Sequence, residues 1–331
     1  MRIGLAYDLK EAVPVSPSGP EDALEEYDSA GTVDLIAGSL RGLGHCVTRL
    51  GGGWEFLESI RTERVNFVFN IAEGRGTYRS REAQVPSVLE MLGIPYSGSD
   101  PQCLAVCLDK PLTKTLLAAA GVRTPSFKTT GQPGGVSWPR LRYPVIIKPA
   151  YEGSSKGVRS GSLAETPLEA AELADRLAQC YRQPMMLEEF IDGDEVTVGM
   201  VGNHPPRVVG VMRVVPRQSH RHFIYSLETK RDWEVLVDYE CPARLGDDTL
   251  RELEEFSLKT FEILGCRDFA RLDFRVGADG LPYFIEINPL PGLGNHSDLV
   301  IMVGMLGWSH QELTGAILDA ALGRYSRWAP V

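Results

Sequence analysis

Short apolar segments alternate with helix-like segments over the first hundred residues of this chain. Residues 3–7 form a continuous apolar run of the kind that becomes a buried strand. Apolar positions from 33 to 43 recur instead with a helical period and stop before a glycine. Further strand-like runs follow at 45–50 and 66–71, with a helical segment between them. This alternation predicts an α/β fold with a parallel sheet that is covered by helices on both faces.

Length and charge limit the classes of protein that the chain can belong to. Its 331 residues exceed the size at which single cores stop growing, so two or three domains are expected. The formal net charge of -10 argues against a nucleic-acid partner, which needs Lys and Arg for its phosphates. No apolar run reaches the ~20 residues of a membrane span, and the six cysteines lack metal-site spacing. We therefore expect a cytoplasmic protein with free thiols and without a membrane partner.

Two alternating runs between residues 270 and 287 predict a β-hairpin around a glycine-containing turn. Residues i and i+2 of a strand face the same side, so Arg271 and Asp273 project together, as do Glu286 and Asn288. Two carboxylates and an amide oxygen are the hard ligands that Mg²⁺ prefers. Arg271 is suited to hold the oxyanion of a tetrahedral intermediate. A solvated polar face is the alternative, but it does not explain polar residues amid so many apolar ones.

Two further polar segments each follow a predicted strand. Lys148 precedes a Gly/Ser loop in which backbone N–H groups and the hydroxyls of Ser154 and Ser155 can surround a phosphate. The acidic turn from Glu188 to Glu195 offers backbone groups for an adenine edge and a carboxylate for ribose hydroxyls. Taken alone, the first is as readily a surface turn and the second an ordinary Asp-Gly turn.

In this order, the three segments resemble those of the ATP-grasp family, and specifically its D-alanine–D-alanine ligase branch. The loop is similar to Lys-Pro-x-x-Glu-Gly-Ser-Ser-x-Gly-Val, and the acidic turn to Glu-x-x-(Leu/Ile)-x-Gly-x-Glu. The hairpin is similar to Arg-x-Asp-Phe and Glu-(Ile/Val)-Asn. Asp109-Lys110 upstream and the stretch from Pro291 to Ser297 downstream continue the similarity, which is nearly unbroken from about 96 to 306. Each motif is modest, whereas the ordered set is highly specific.

The resemblance implies a fold of three parts. An N-terminal Rossmann-like parallel-sheet domain (1–100) would lie on the substrate side. A two-lobed ATP-grasp fold with mainly antiparallel sheets would follow, with a central lobe (101–188) and a C-terminal lobe (189–331) that carries the magnesium and catalytic residues. The implied cofactors are ATP and Mg²⁺, in two ions that Mn²⁺ can replace. The implied partners are small amino acids or peptides, and a homodimer is compatible with this expectation.

The resemblance also implies a role for individual residues. Arg271 would stabilise the tetrahedral intermediate, Ser154 would lie in the loop over the phosphates, and Lys230 would reach the terminal phosphate. The residues implied to bind ATP are Lys110, Lys148, Ser154, Ser155, Glu188, Glu189, Ile191, Glu195 and Lys230. Those implied to hold magnesium are Asp273, Glu286 and Asn288, and those expected to contact substrate are Glu73, Arg271, Gly292 and Ser297.

The substrate side departs from the family pattern. The family's Ser-x-Glu-x-x-x-Ser after strand one is absent, with only Glu25 or Glu26 as substitutes. Its His-Gly-x-x-Gly-Glu-Asp-Gly is replaced by a stretch that contains Glu73 and several arginines, and the tyrosine after the mobile-loop lysine is Arg231. We therefore expect altered specificity, with the extra arginines favouring an additional carboxylate or a peptide C-terminus. Residues 217–234 are polar and basic and are expected to form a mobile loop.

The leading interpretation is an ATP- and Mg²⁺-dependent carboxylate–amine ligase that acts through an acylphosphate. The nearest alternative is D-alanine–D-alanine ligase of cell-wall synthesis with unusual substrate loops. A catalytically silent nucleotide-binding regulator is the second alternative, but it would not need Arg271. A dinucleotide-dependent oxidoreductase would need a glycine fingerprint after strand one, and the sequence there lacks it.

Overall fold

The computed structural model describes residues 1–14, 19–131, 141–218 and 221–326. Within these ranges the chain forms three sheets of three, four and five strands. The strands are β1 (Arg2–Ala6), β2 (Cys46–Gly51), β3 (Phe67–Asn70), β4 (Phe127–Thr129), β5 (Val145–Pro149), β6 (Leu163–Ala164), β7 (Met185–Glu189), β8 (Gly193–Val201), β9 (Arg207–Pro216), β10 (Val237–Glu240), β11 (Phe269–Gly277) and β12 (Pro282–Asn288). The helices are α1 (Ala30–Gly42), α2 (Gly53–Thr62), α3 (Gln84–Leu92), α4 (Pro101–Leu108), α5 (Lys110–Ala119), α6 (Pro167–Tyr181), α7 (Leu227–Arg231), α8 (Trp233–Leu236), α9 (Asp247–Ile263), α10 (Asp298–Met305) and α11 (His310–Ser326).

The first sheet is parallel, with the strand order β2-β1-β3, which confirms the α/β prediction. Its strands are short and apolar, and α1 begins where the Ser29 hydroxyl accepts a hydrogen bond from the Thr32 N–H at 3.2 Å. Helix α11, from the far end of the chain, packs on the same core: Ile317 is buried in one cluster with Ile3 and Val33. The core of the N-terminal unit therefore includes residues more than 200 positions away. The domain boundaries themselves stay a prediction.

The other two sheets are antiparallel, with the orders β4-β7-β5-β6 and β10-β9-β8-β11-β12. Helices α4 and α5 are separated at Asp109, whose carboxylate caps α5 by accepting from the Leu112 N–H at 3.1 Å. Pro111 lies in the first turn of α5, where the missing N–H of proline costs no hydrogen bond, so the new helix can begin there. No helix in the described ranges combines the length and the apolarity that are needed to cross a membrane. All six cysteines are free thiols, as predicted.

The segment 217–234 is more ordered in shape than the sequence suggested. Residues 219 and 220 lie outside the described ranges, but α7 and α8 occupy its second half. The Ser226 hydroxyl caps α7 by accepting from the Thr229 N–H, and Leu227 is 2% exposed. The prediction of an irregular loop is therefore wrong for this half, because a local cap and one buried apolar side chain outweigh the polar composition. Its mobility stays a prediction.

A buried charge cluster joins the N-terminal unit to the Gly/Ser loop. The guanidinium of Arg81 donates to both carboxylate oxygens of Glu26, at 2.6 and 2.7 Å, and its side chain is 1% exposed. The Gly153 N–H and the Lys156 ammonium also donate to Glu26, and Glu152 pairs with both cations. Burial alone would raise the pKa of Glu26, but Arg81 and Lys156 outweigh it and lower the pKa to about 2. Two carboxylates thus balance two cations, and each member depends on the others.

Replacing Glu26 by Gln should destabilise the fold strongly. The substitution keeps the side-chain volume but leaves a buried Arg81 and Lys156 with one carboxylate too few, which typically costs about 3–5 kcal/mol. Urea and thermal unfolding measure the loss. The control is Glu21→Gln, which breaks an ion pair to Arg159 at a side chain that is 73% exposed; there the expected loss is below about 1 kcal/mol. Equal stability losses in the two variants would contradict the cluster's role.

Candidate active site

The predicted polar hairpin forms as two adjacent strands of the five-stranded sheet. In its register Asp273 lies opposite Glu286, and Arg271 lies opposite Asn288. The carboxylate of Asp273 accepts from the Arg271 guanidinium at 2.8 Å and from the Thr197 hydroxyl at 3.0 Å. Burial raises the pKa of Asp273 despite that guanidinium. The hairpin thus brings two carboxylates and an arginine to one place within the fold.

Glu286 faces cations instead. Its carboxylate lies 3.2 Å from the Lys110 ammonium, and Lys148 and Lys230 are close enough to act on it electrostatically. Burial would raise the pKa of Glu286, but these lysines lower it to about 2, so the group is ionised at neutral pH. Asn288 uses its side-chain oxygen to accept from the Leu290 N–H at 3.0 Å. An amide oxygen accepts at two lone pairs, so one remains for another partner. This oxygen-rich donor set fits a hard divalent cation.

A narrow cavity between the four-stranded and five-stranded sheets collects most of the residues that the sequence assigned to ATP. Its wall is mixed in charge, with lysines and carboxylates facing each other across the gap. The sequence-assigned residues on this wall are Lys110, Lys148, Ser155, Glu188, Glu189, Ile191, Glu195, Lys230, Asp273 and Glu286.

Glu188 is the most enclosed acid of this cavity, and it lies between two lysines. Its carboxylate is 2.7 Å from the Lys148 ammonium and also pairs with Lys114. Burial would raise the pKa of Glu188, but the two lysines lower it. Lys114 donates in addition to the Thr124 hydroxyl at 2.6 Å and the Phe284 carbonyl at 2.9 Å, and burial lowers its pKa to about 8. Sequence analysis assigned no role to Lys114.

The acidic turn is organised by Arg275, which sequence reasoning did not single out. Its guanidinium donates to the Ile191 carbonyl and to the Glu195 carboxylate, and it stacks 4.4 Å from the centre of the Phe190 ring. Arg275 is two positions beyond Asp273 on β11 and therefore faces the same side. Spacing alone could have identified it. Glu189 in turn accepts from the Arg142 backbone N–H at 2.8 Å.

Two loops meet above the narrow cavity. Ser154 and Ser155 both have left-handed backbone, with φ of 50° and 58°, which is strained for residues other than glycine and is typical of ligand-binding turns. The Ser155 hydroxyl donates to the Tyr225 carbonyl at 3.3 Å. The Lys230 ammonium lies 5.0 Å from the centre of the Tyr225 ring. The Gly/Ser loop and the segment that carries Lys230 therefore contact each other directly.

A second, wider cavity of about 570 Å³ adjoins the first through Lys230 and Tyr225. The predicted substrate residues all lie on its wall, together with Ser154 from the loop and Asn288 from the hairpin. The sequence-assigned residues on this wall are Glu73, Ser154, Lys230, Arg271, Asn288, Gly292 and Ser297. Asp298, which the sequence reasoning missed, also lies there.

The arginines of the rewritten N-terminal stretch do not line the wider cavity. Arg81 is buried against Glu26, Arg75 lies 2.9 Å from Asp8, and Arg79 lies 3.4 Å from Asp109. These pairings give no support to the expectation that the arginines recognise an extra substrate carboxylate, and that expectation stays untested. The sequence shows the charges of these arginines but not the acidic side chains that neutralise them.

Acids face this cavity instead. Among the described residues, the carboxylates of Asp28 and Glu73 have neither an ion pair nor a hydrogen bond. Burial, followed by repulsion from Glu82 and Glu26, raises the pKa of Glu73 well above its ordinary value. Burial and Asp8 raise the pKa of Asp28 to about 7. The wall of the wider cavity is thus acidic on its N-terminal side.

Comparison with known proteins gives consistent matches. The family model described as D-ala D-ala ligase C-terminus matches residues 119–319. D-alanine–D-alanine ligase of Moorella thermoacetica is 32% identical over 322 residues, covering 94% of this chain and 99% of that protein. Protein y4sG of Sinorhizobium fredii, named only as uncharacterized, is 36% identical over 259 residues, or 78% of this chain and 75% of that protein.

Solved structures share the fold over nearly the whole chain. D-alanine–D-alanine ligase from Bacillus anthracis complexed with ATP has a TM-score of 0.74 at 21% identity, covering 99% of this chain and 100% of that one. VanG D-Ala:D-Ser ligase from Enterococcus faecalis has a TM-score of 0.72 at 18% identity, covering 97% and 99%.

Replacing Asp28 by Asn should change the free energy of unfolding in a pH-dependent way. The variant should gain stability relative to the wild type as the pH rises from acidic to neutral. The folded-state pKa of about 7 lies above the unfolded value of about 3.9. Between these two pKa values the Asp28 carboxyl binds more protons in the folded state than in the unfolded state. The contribution of Asp28 to stability therefore falls as pH rises, and Asn has no such loss. Urea midpoints from pH 4 to 8 measure the difference, with Asp248→Asn at a 95% exposed side chain as the control. A difference that stays constant over this range would contradict the burial of the Asp28 carboxylate.

Proposed function

This chain belongs to the D-alanine–D-alanine ligase family of ATP-dependent, ADP-forming ligases, and on that premise we propose that it joins the carboxylate of one amino acid or short peptide to the amine of another. The observation that carries the proposal is the position of Arg271. It lines the wider cavity, while its neighbour Asp273 lines the narrow one. A substrate carboxylate in the wider cavity and the terminal phosphate of ATP in the narrow cavity would therefore meet beside the Arg271 guanidinium.

The proposed reaction has two steps. A carboxylate oxygen of the first substrate attacks the terminal phosphorus of ATP, ADP leaves, and an acylphosphate forms. The amine of the second substrate then attacks the carbonyl carbon, phosphate leaves, and the amine loses its proton. The protein aligns the groups and neutralises developing charge. Lys110, Lys148 and Lys230 are placed for the phosphates, and Arg271 is placed for the oxyanion of the tetrahedral intermediate.

We assign the adenosine end of ATP to the acidic turn. Glu195 offers a carboxylate to the ribose hydroxyls, and the backbone of Glu189 and Ile191 offers groups to the adenine edge. The contact of Glu188 with the adenine amino group stays a proposal. Its ion pairs give it a second task, since they hold the Lys148 ammonium in the phosphate end of the cavity.

We assign magnesium to Asp273, Glu286 and Asn288, as one or two ions, for which the oxygen donors of the hairpin are suited. When bound, the cation neutralises phosphate charge during transfer. The ionised Glu286 supplies charge there, and Asn288 supplies a neutral oxygen.

Glu286→Gln should remove most turnover without unfolding the protein, because it deletes a charge and keeps the volume. Phosphate release as a function of Mg²⁺ concentration measures the effect, and a higher Mg²⁺ requirement is expected. Mn²⁺ in place of Mg²⁺ should support wild-type turnover. The control is Glu262→Gln on the exposed side of α9. If Glu286→Gln kept the wild-type rate and Mg²⁺ dependence, the metal assignment would fail.

We further propose that the specificity differs from that of D-alanine with D-alanine. The support is the acidic wall formed by Asp28 and Glu73, where the family resemblance expects a histidine motif. At neutral pH the partly ionised Asp28 of this wall repels a substrate with a second carboxylate, since like charges in a partly dry cavity cost more than in water. The raised pKa of Glu73 favours the protonated form of that group, which adds no charge. D-alanine–D-alanine ligation is the second candidate, and the named relatives favour it.

A phosphate-release screen over pairs of amino acids and dipeptides tests both candidates. We expect a pair other than D-alanine with itself to have the highest kcat/KM, and aspartate and glutamate to be among the poorest substrates. Asp28→Asn, which removes a carboxylate that is partly ionised at neutral pH, should improve those two acids relative to alanine, and Glu63→Gln, at an exposed position, should not. Highest kcat/KM for D-alanine with itself would reject the altered specificity and leave the ligase assignment intact.

A further inference from the structure

Tyr225 contacts four functional parts of the cleft at once. Its backbone carbonyl accepts from the Ser155 hydroxyl at 3.3 Å, and its N–H donates to the Glu195 carboxylate at 3.4 Å. Its ring lies below the Lys230 ammonium. Its hydroxyl donates to the Asp298 carboxylate at 3.0 Å. The residue therefore joins the phosphate loop, the acidic turn and the Lys230 segment to Asp298.

Asp298 in turn fixes Arg271. Its second carboxylate oxygen lies 3.3 Å from one terminal nitrogen of the guanidinium, while Asp273 accepts from the other terminal nitrogen at 2.8 Å. Asp298 is 5% exposed and Arg271 is 7% exposed, so little solvent competes with these bonds. The planar guanidinium is held on two edges by two carboxylates, and its orientation depends on both.

We propose that Tyr225 and Asp298 are positioning residues which couple closure of the loops over the nucleotide to the orientation of Arg271. The proposal rests on the ligase function above. When Ser155 and Lys230 are drawn onto the phosphates, Tyr225 is held by its backbone and ring, and its hydroxyl fixes Asp298. Arg271 then faces the reacting carbonyl only while the nucleotide is enclosed.

The hydroxyl is suited to this task because it stays a donor. Burial, followed by the nearby Asp298 carboxylate, raises the pKa of Tyr225, so the phenol is protonated throughout the working pH range. Its oxygen also lies 2.6 Å from the Tyr239 hydroxyl, which completes the hydrogen bonds at that end. Without the Tyr225 hydroxyl, Asp298 loses one donor, and one of the two carboxylates that hold Arg271 is less firmly fixed.

The kinetic test uses Tyr225→Phe, which keeps the ring over Lys230 and both backbone hydrogen bonds. We expect kcat to fall about 10- to 100-fold, since a displacement of about 1 Å in a catalytic group has effects of this order, while KM for ATP changes less than about twofold. Asp298→Asn should act in the same way, and the double variant should be no slower than the slower single variant. Tyr78→Phe, at a tyrosine that is 71% exposed, is the control.

Arg271→Ala distinguishes positioning from a direct role. If Tyr225 acts through Arg271, Tyr225→Phe should change kcat less than about twofold once Arg271 is Ala, because the effects of coupled residues are not additive. A full kcat loss that persists in the Arg271→Ala background overturns the proposal, as does a wild-type kcat in Tyr225→Phe.

A second measurement does not depend on turnover. Crystal structures of the wild type and Tyr225→Phe with a non-hydrolysable ATP analogue should show the Arg271 guanidinium displaced or in two conformers in the variant. If none of the tested substrate pairs leads to phosphate release by the wild type, the proposed function fails. The crystal structures still decide this inference in that case. An unmoved, singly ordered Arg271 in the variant overturns it.

Discussion

This cleft depends on one constraint: each buried cation in the described part of the chain is paired with a carboxylate. A site for the phosphates of ATP needs several lysines in a partly dry gap, and these would repel each other before the nucleotide arrives. Glu188 between Lys114 and Lys148, and Glu286 beside Lys110, balance that charge. Isolated buried ions are costly, whereas paired and hydrogen-bonded ones are tolerated. In the phosphate site that we propose, these pairs would hold the lysines in place before the nucleotide binds.

The same principle connects the units of the molecule. Arg81 from the N-terminal unit is neutralised by Glu26 and by Glu152 of the Gly/Ser loop, so this loop is held in place by residues outside the two antiparallel sheets. The wider cavity, to which we assign the substrates, is lined by residues from these parts. Substitutions in the N-terminal stretch can thus change both which substrate is accepted and how the loop is held.

Features with a local cause were predictable from the sequence, and features that depend on distant partners were not. The parallel sheet and the hairpin follow from apolar periodicity, and the i, i+2 rule placed Arg271 with Asp273, and Glu286 with Asn288, on one face of a strand each. The register that sets Asp273 opposite Glu286 comes from the structure. Tyr225 and Asp298 were missed because the hydrogen bond that joins them spans 73 positions of the sequence. The pairing of Arg81 was missed for the same reason, since no local pattern pairs it with Glu26, 55 positions away. Side-chain partnership, not secondary structure, limited the prediction of the site.

Among the described elements helix α11 is synthesised last, yet it completes the core of the first sheet. The core of the first sheet, around Ile3 and Phe67, includes Leu313 and Ile317 of that helix. A ribosome makes the chain from its N-terminus at about 5–20 residues per second. The strands of the first sheet are therefore made roughly ten seconds or more before the helix that covers them. During that interval its apolar face stays open to solvent and to other nascent chains. The first strands are therefore exposed to aggregation until α11 is made, although the finished fold buries Ile3, Leu5 and Phe67.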